Sequence, residues 1–229
     1  TTERAKAYSE GKLAGMNHLH AATELVTGKL LSDASQLEAG TNGIFAFGGG
    51  KNKAKTGSHI DSDSFNLAAG IANKKQYDTH TLLTAAYLEG GWGGYDSYNS
   101  FNTGNVHGDG DTKHYGLGLL VKREDKNGLY LEGSLRAGRI ETDFQTNDMG
   151  TGADFDSKST YWGAHIGVGK ARKLKQNDVL DTYLKLFYTR QGSDSLRTGA
   201  GEKIDFDASD STRLRLGLRY IKEFKEKTR

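Results

Sequence analysis

Four side chains in a short run, His107, Asp109, Asp111 and His114, form a group in this chain that could do chemistry. A carboxylate beside an imidazole can draw a proton from water as a general base, and Asp154 and Asp156 stand in the next long polar stretch. Placed together on the extracellular rim of a membrane barrel they would make a hydrolase site. The same Gly-Asp-rich run also reads as a solvated loop, because Gly and Asp are turn formers. A weak calcium site is the remaining chemical reading of those carboxylates. His20 and Glu24 are spaced to share one face of a helix, whereas His18 and His20 are not; two ligands are too few to hold a metal. Phe47-Gly48-Gly49-Gly50-Lys51 falls short of a phosphate loop, since the early Gly position is Phe45 and the Ser/Thr position is Asn52. No cofactor and no metal is expected, and the chain is not read as an enzyme.

The elements that must position these residues show a period of two. In Arg213-Leu214-Arg215-Leu216-Gly217-Leu218-Arg219-Tyr220 the leucines share one face and the arginines the other. Such alternation fits a soluble β-sandwich used as a binding module, or an outer-membrane barrel whose outside is apolar and inside polar. Composition narrows the choice. Mean hydropathy is −0.67 with 35% hydrophobic residues, so no window holds the ~20 apolar residues of a membrane-spanning helix. Transmembrane strands need only ~10 residues with every second one apolar, so a barrel remains open. Glycine is abundant at 31 of 229 residues, with no Pro and no Cys: ladder hydrogen bonds are uninterrupted and no disulfide framework exists. A net charge of +2, spread along the chain, leaves no footprint for nucleic acid. No signal peptide precedes the first helix, which fits a cytosolic chain or a piece of a longer precursor.

One domain over residues 1–229 is expected: a helix over 1–28 ending at Gly28, then strands within 42–222. The strands are predicted near 42–50, 60–72, 79–92, 112–122, 128–141, 159–170, 179–191 and 208–222, joined alternately by short and long connections. Asn127-Gly128 marks a hairpin, and chain economy makes the neighbours antiparallel. Parity puts Leu131, Leu135, Leu184, Leu186, Leu214, Leu216 and Leu218 outside, and Glu132, Arg136, Lys185, Arg213, Arg215 and Arg219 inside. Tyr87, Trp92, Tyr95, Tyr161, Trp162 and Tyr188 fall near strand ends, as an interfacial aromatic girdle would.

Arg4-Ala5-Lys6-Ala7-Tyr8-Ser9-Glu10-Gly11-Lys12-Leu13-Ala14-Gly15 resembles the lumenal helix that opens autotransporter translocator domains. Gly43-Ile44-Phe45-Ala46-Phe47-Gly48-Gly49-Gly50, Gly90-Gly91-Trp92-Gly93-Gly94-Tyr95-Asp96, Gly108-Asp109-Gly110-Asp111 and Tyr115-Gly116-Leu117-Gly118-Leu119-Leu120 resemble their first, third and fourth strands in order. Tyr130-Leu131-Glu132-Gly133-Ser134-Leu135-Arg136-Ala137-Gly138-Arg139 is similar to the fifth, and Arg213 to Tyr220 to the eighth. The resemblance implies an all-β, antiparallel up-and-down transmembrane barrel of twelve strands in the outer membrane of a Gram-negative bacterium, with the N-terminal helix in its pore. It implies as partners an N-terminal passenger exported to the cell surface, outer-membrane lipid and the barrel-assembly machinery. Arg4, Glu10, Lys12 and Glu24 of the pore helix are then expected to meet the lumen-facing set. The charged tail after Tyr220 departs from the family's terminal aromatic strand. Eight of the twelve strands are expected here, with an open sheet around the helix rather than a closed barrel.

Overall fold

The computed structural model describes residues 3–55, 59–150, 152–174 and 178–222. Helix α1 (Glu3–Glu24) passes through a π-helical turn (Leu25–Leu30) into α2 (Leu31–Gln36). The expected stop at Gly28 is therefore an interior position. A wider turn accommodates a residue that strains a regular helix, and Gly28 faces open space. The helix ends instead at Leu37, whose backbone is extended, with ψ 156°. Lys74 secures this end, its Nζ donating to the carbonyls of Ser35 and Leu37 at 2.7 Å each, as cations do at helix C-termini.

Among the described residues ten strands follow: β1 (Gly40–Lys55), β2 (His59–Gln76), β3 (His80–Phe101), β4 (Gly104–Asp125), β5 (Leu129–Phe144), β6 (Phe155–Lys173), β7 (Val179–Gln191), β8 (Asp194–Arg197), β9 (Lys203–Phe206) and β10 (Ser209–Ile221). Eight of them form one antiparallel sheet in the order β1-β2-β3-β4-β5-β6-β7-β10, and β8 and β9 form a small hairpin of their own. The stretch 93–111, expected as a loop, is strand: β3 and β4 run on to a tip at 102–103, where Gly104 takes φ +139°. Backbone pairs such as Gly94↔Asp111 and Ser97↔Gly108 carry the ladder there. Apolar alternation marks a strand only where one face is buried in oil, so a polar overhang gives no such signal.

Helix α1 packs against β1, β2, β3, β4, β5 and β7, and Glu24 reaches Arg213 and Arg215 of β10. One helix about 10 Å across touches both ends of an eight-stranded sheet only if the sheet curls around it. Among the described residues no ladder joins β1 to β10. Eight strands closed on themselves leave room for little beyond their own side chains, so a helix inside keeps the edges apart. The result is a curled half-barrel.

The outward face carries Phe45, Phe47, Leu88, Leu117, Leu119, Leu131, Leu135, Ile166, Leu184, Leu186, Leu214, Leu216 and Leu218, all exposed. They adjoin across the register, as in Leu88↔Leu117, Leu119↔Leu135, Ile166↔Leu186 and Leu186↔Leu214. A continuous apolar belt over the strands of the large sheet is far larger than a soluble surface tolerates. Among the described residues no second sheet covers it, which removes the β-sandwich reading. The girdle expectation is half corrected. Trp92, Trp162 and Tyr188 lie on the outer face, whereas Tyr87, Tyr95 and Tyr161 point inward and are buried.

Those inward tyrosines explain much of the glycine. The lumen-facing rows read Gly70↔Tyr87↔Gly118 and Tyr130↔Gly169↔Tyr183↔Gly217 across neighbouring strands. A Cβ at Gly118, Gly169 or Gly217 would run into the ring of the tyrosine opposite, so each ring lies flat on its neighbour and keeps the wall shallow enough for a helix. At Gly70 a Cβ would strike the backbone of Ala86 and Tyr87, which cannot swing aside. Gly70→Ala is therefore expected to destabilise by about 1–3 kcal/mol, the usual cost of overpacking, read from the urea midpoint in lipid vesicles; a neutral result would show that β2 and β3 separate without cost.

Candidate functional site

The helix-filled lumen is where the polar side chains of the chain converge. At the β3–β4 tip, Thr103 donates to the Glu3 carboxylate, so α1 begins at the overhanging rim and runs to the rim of the short turns at 77–79 and 126–128. Near its start Tyr8 packs edge-on against Phe144 and Phe155, with ring centroids 5.8 and 5.4 Å away. Gly11 and Gly15 follow where the helix comes closest to the wall, at Tyr95, Thr142 and Ile140. Further along, Leu19 is buried with Ile140 and Tyr161, and Val26, Leu30 and Leu31 with Ala46, Ala68, Ala72 and Tyr87.

Charge enters this interface at few points. Arg136 of β5 donates through Nε to Glu89 of β3 at 2.9 Å and through Nη1 to the helix carbonyl of Leu19 at 2.9 Å and the Thr23 hydroxyl. Tyr161 adds its hydroxyl to the same Glu89 oxygen at 2.5 Å. Both charged side chains are about fully buried, 2% and 1% exposed. Desolvated charges persist when paired and hydrogen-bonded; here the two are paired and bonded to each other, while Glu89 Oε2 and Arg136 Nη2 find no hydrogen-bond partner among the described residues. Glu132 forms a second group with Lys185 and His165, whose Nε2 lies 3.3 Å away, while Ser134 reaches the other side of that ring. Lys185 also points its ammonium at the carbonyl of Thr27, 3.4 Å away. Glu24 is the helix carboxylate that meets wall cations, Arg213 at 3.1 Å and Arg215 at 2.5 Å.

The other named residues find different surroundings. Lys12 donates to backbone carbonyls of Gly192, at 2.9 Å, and Asp207. Glu10 accepts from the Asn99 amide, and Arg219 lies over the Tyr183 ring with 5.9 Å to its centroid. The Arg4 side chain lies outside the described residues. Glu24 thus meets the named wall cations Arg213 and Arg215, whereas Arg136 holds the helix through a carbonyl and a hydroxyl. Glu89, the partner of Arg136, went unread because it sits in an apolar-looking run, Tyr87-Leu88-Glu89-Gly90. A lone carboxylate at an inward position of a strand was the available signal.

The rim group does not assemble. His107 is exposed and bonds Asp148 at 3.2 Å, while His114, seven positions on along β4, is buried in the lumen against Asn66 at 2.8 Å. An odd separation in a strand sends the two side chains to opposite faces. Asp154 accepts from the backbone of Thr146 at 3.2 Å. Asp109 and Asp111 instead line a rim hollow with Asp61, Asp63, Asp96 and Asp143. Among the described residues His107 thus pairs with Asp148 rather than with Asp109, Asp111, Asp154 or Asp156, the carboxylates the hydrolase reading named.

A family model described as the autotransporter beta-domain matches residues 42–229. No curated protein matches. Among solved structures, the crystal structure of the beta domain of the Bordetella autotransporter Brka is similar with TM-score 0.66 and 17% identity, covering 79% of this chain and 70% of that one. The structural likeness is one of fold, and the family match reaches every strand described above. This chain therefore belongs to the autotransporter β-domain family.

Proposed function

We propose that residues 1–229 act as one unit, the translocator and membrane anchor of an autotransporter, seated in the outer membrane of a Gram-negative bacterium. One observation carries the reading: a continuous helical run from Glu3 to Gln36 threads the curled sheet from the overhanging rim to the short-turn rim. A segment preceding Glu3 would leave on the side of the long hairpins, the side that faces outward in such barrels. The partner is thus an N-terminal passenger. Outer-membrane lipid covers the apolar belt, and the barrel-assembly machinery inserts the strands, whose free edges lipid cannot satisfy. The domain does no chemistry on the passenger in this reading, and nucleic acid is not a partner. Within the lumen Glu10, Lys12 and Glu24 hold the helix, with Arg4 proposed beside them on the same helix although its side chain lies outside the described residues, and Glu132, Arg136, Lys185, Arg213, Arg215 and Arg219 form the polar wall that receives it.

The test is surface display. An epitope fused ahead of Thr1 is expected to be cut by protease added to intact cells, with the barrel remaining in the outer-membrane fraction. An epitope protected until the outer membrane is broken would overturn the orientation and the translocator role with it.

A further inference from the structure

Just beyond the apolar belt, on the side of the long hairpins, the outward face of the sheet is layered by charge. The belt row Leu88↔Leu117↔Ala137↔Trp162 is followed by Tyr115↔Arg139↔Thr160 and then by Trp92↔Lys113↔Glu141↔Lys158. Arg139 of β5 therefore has Lys113 of β4 and Lys158 of β6 as diagonal neighbours, about 7–8 Å away and within reach of long side chains. Tyr115 and Trp162, both about half exposed, flank it on the belt side. All three cations are exposed. Among the described residues no carboxylate holds Arg139 or Lys113, and Lys158 only approaches Glu141 at 3.7 Å. Arg190, one strand further along the belt row, is by contrast taken by Asp210 at 3.1 Å. Long cations standing free at the edge of an apolar belt, among amphipathic rings, form the kind of surface that meets lipid headgroups.

We propose that Arg139, Lys113 and Lys158 bind the phosphate of an anionic outer-leaflet lipid whose acyl chains lie on the adjoining belt. The Arg139 fork takes two phosphate oxygens and the lysines add charge from either side. Leu117, Ala137 and Leu135, next along β4 and β5, receive the chains of the same molecule. An open wall with no buried donor would hold a free anion poorly, so headgroup and chains together make the ligand. A row of carboxylates, among them Asp63, Asp111, Asp143 and Asp156, stands further out on the same face. At about 3.4 Å per residue Asp143 lies some four residues, about 14 Å, from Arg139, beyond the screening length of about 8 Å at physiological salt. Asp63 and Asp143 also accept backbone N–H bonds, from Gly94 at 2.9 Å and Asp111 at 2.5 Å. Contact with the three cations therefore outweighs the outer carboxylates, and Glu141 is the acid that opposes binding at the level of the site. The choice of the outer leaflet rests on the orientation proposed above; the phosphate chemistry of the patch does not.

The experiment titrates the whole chain, in zwitterionic detergent micelles at physiological salt, with bisphosphorylated lipid A and follows the fluorescence of Trp92 and Trp162, which border the patch. Saturable binding is expected, with dephosphorylated lipid A about 100-fold weaker, as three cations at about fivefold each imply. Lys113→Gln and Lys158→Gln are expected to weaken binding about fivefold, and Arg139→Gln about 10-fold or more through its charged hydrogen bonds. Glu141→Gln should tighten binding about three- to fivefold, a gain that loss of structure would not produce. Arg172→Gln, an exposed cation at the short-turn rim, should leave it unchanged. Folding of each variant is followed by heat-modifiable gel mobility. Equal binding of the phosphorylated and dephosphorylated lipids, an equal loss from Arg172→Gln and Arg139→Gln, or displacement by inorganic pyrophosphate at the lipid's own concentration overturns the proposal. Binding in micelles does not depend on which rim faces the cell exterior, so it and the display test fail separately.

Discussion

Replacing Arg136 by Met is expected to lower the unfolding free energy by about 3–5 kcal/mol, because it leaves the Glu89 carboxylate buried without its counter-charge. The measurement is a urea titration in lipid vesicles followed by the fluorescence of Trp92 and Trp162, the two tryptophans of the chain. Arg136 touches Glu89, the Leu19 carbonyl and Thr23 at once, so its loss also frees the helix from β5. Adding Glu89→Gln to Arg136→Met is expected to recover a large part of the stability, since the stranded charge is then gone; such non-additivity marks residues acting as a pair. A single-variant effect below about 1 kcal/mol, the range of exposed ion pairs, would mean that water reaches the pair and that the helix does not seal it.

Leu135→Arg is expected to cost about 2–4 kcal/mol in lipid vesicles if Leu135 lies near the bilayer midplane, the cost measured for Arg on the lipid face of barrels. Leu135 is 59% exposed and stands between Leu119 and Ala164 in the register. In water the same change at an exposed position stays within about 0.5 kcal/mol. The contrast makes it a test of where the belt resides. Asn105→Arg, at the polar β3–β4 tip, is expected to stay within about 0.5 kcal/mol in the same vesicles. Equal effects at the two sites would place the belt against protein or water rather than hydrocarbon.

The differences between expectation and structure have physical causes. Overhanging halves of β3 and β4 were legible only as polar loop, because backbone pairing such as Tyr95↔Gly110 leaves no hydrophobic trace when neither face is buried. The helix was expected to stop at Gly28, yet its continuation to Gln36 is held by Lys74 from β2, a contact that no local propensity contains. Nearness to strand ends suggests an interfacial place for Tyr87, Tyr95 and Tyr161. Their inward direction follows from parity, as with Glu89 two positions after Tyr87. The four rim residues His107, Asp109, Asp111 and His114 looked like one group because they are close in sequence, and strand geometry separates them to two faces and two environments.

What the sequence determined by itself is what a period of two can carry: the strand faces, the leucine belt and the polar inner wall, together with a helix whose small residues permit close packing. Parity is a local property, so Leu131 and Glu132 take opposite sides whatever the sheet does globally. Tertiary structure decided which lumen residues meet. The pairing of Arg136 with Glu89, of Glu24 with Arg213 and Arg215, and the meeting of His18, His114 and Asn66 depend on strand register and on the height at which the helix is held. These contacts join residues 47 to 191 positions apart. No pattern along the chain encodes such distances; the curl of the sheet around one helix does.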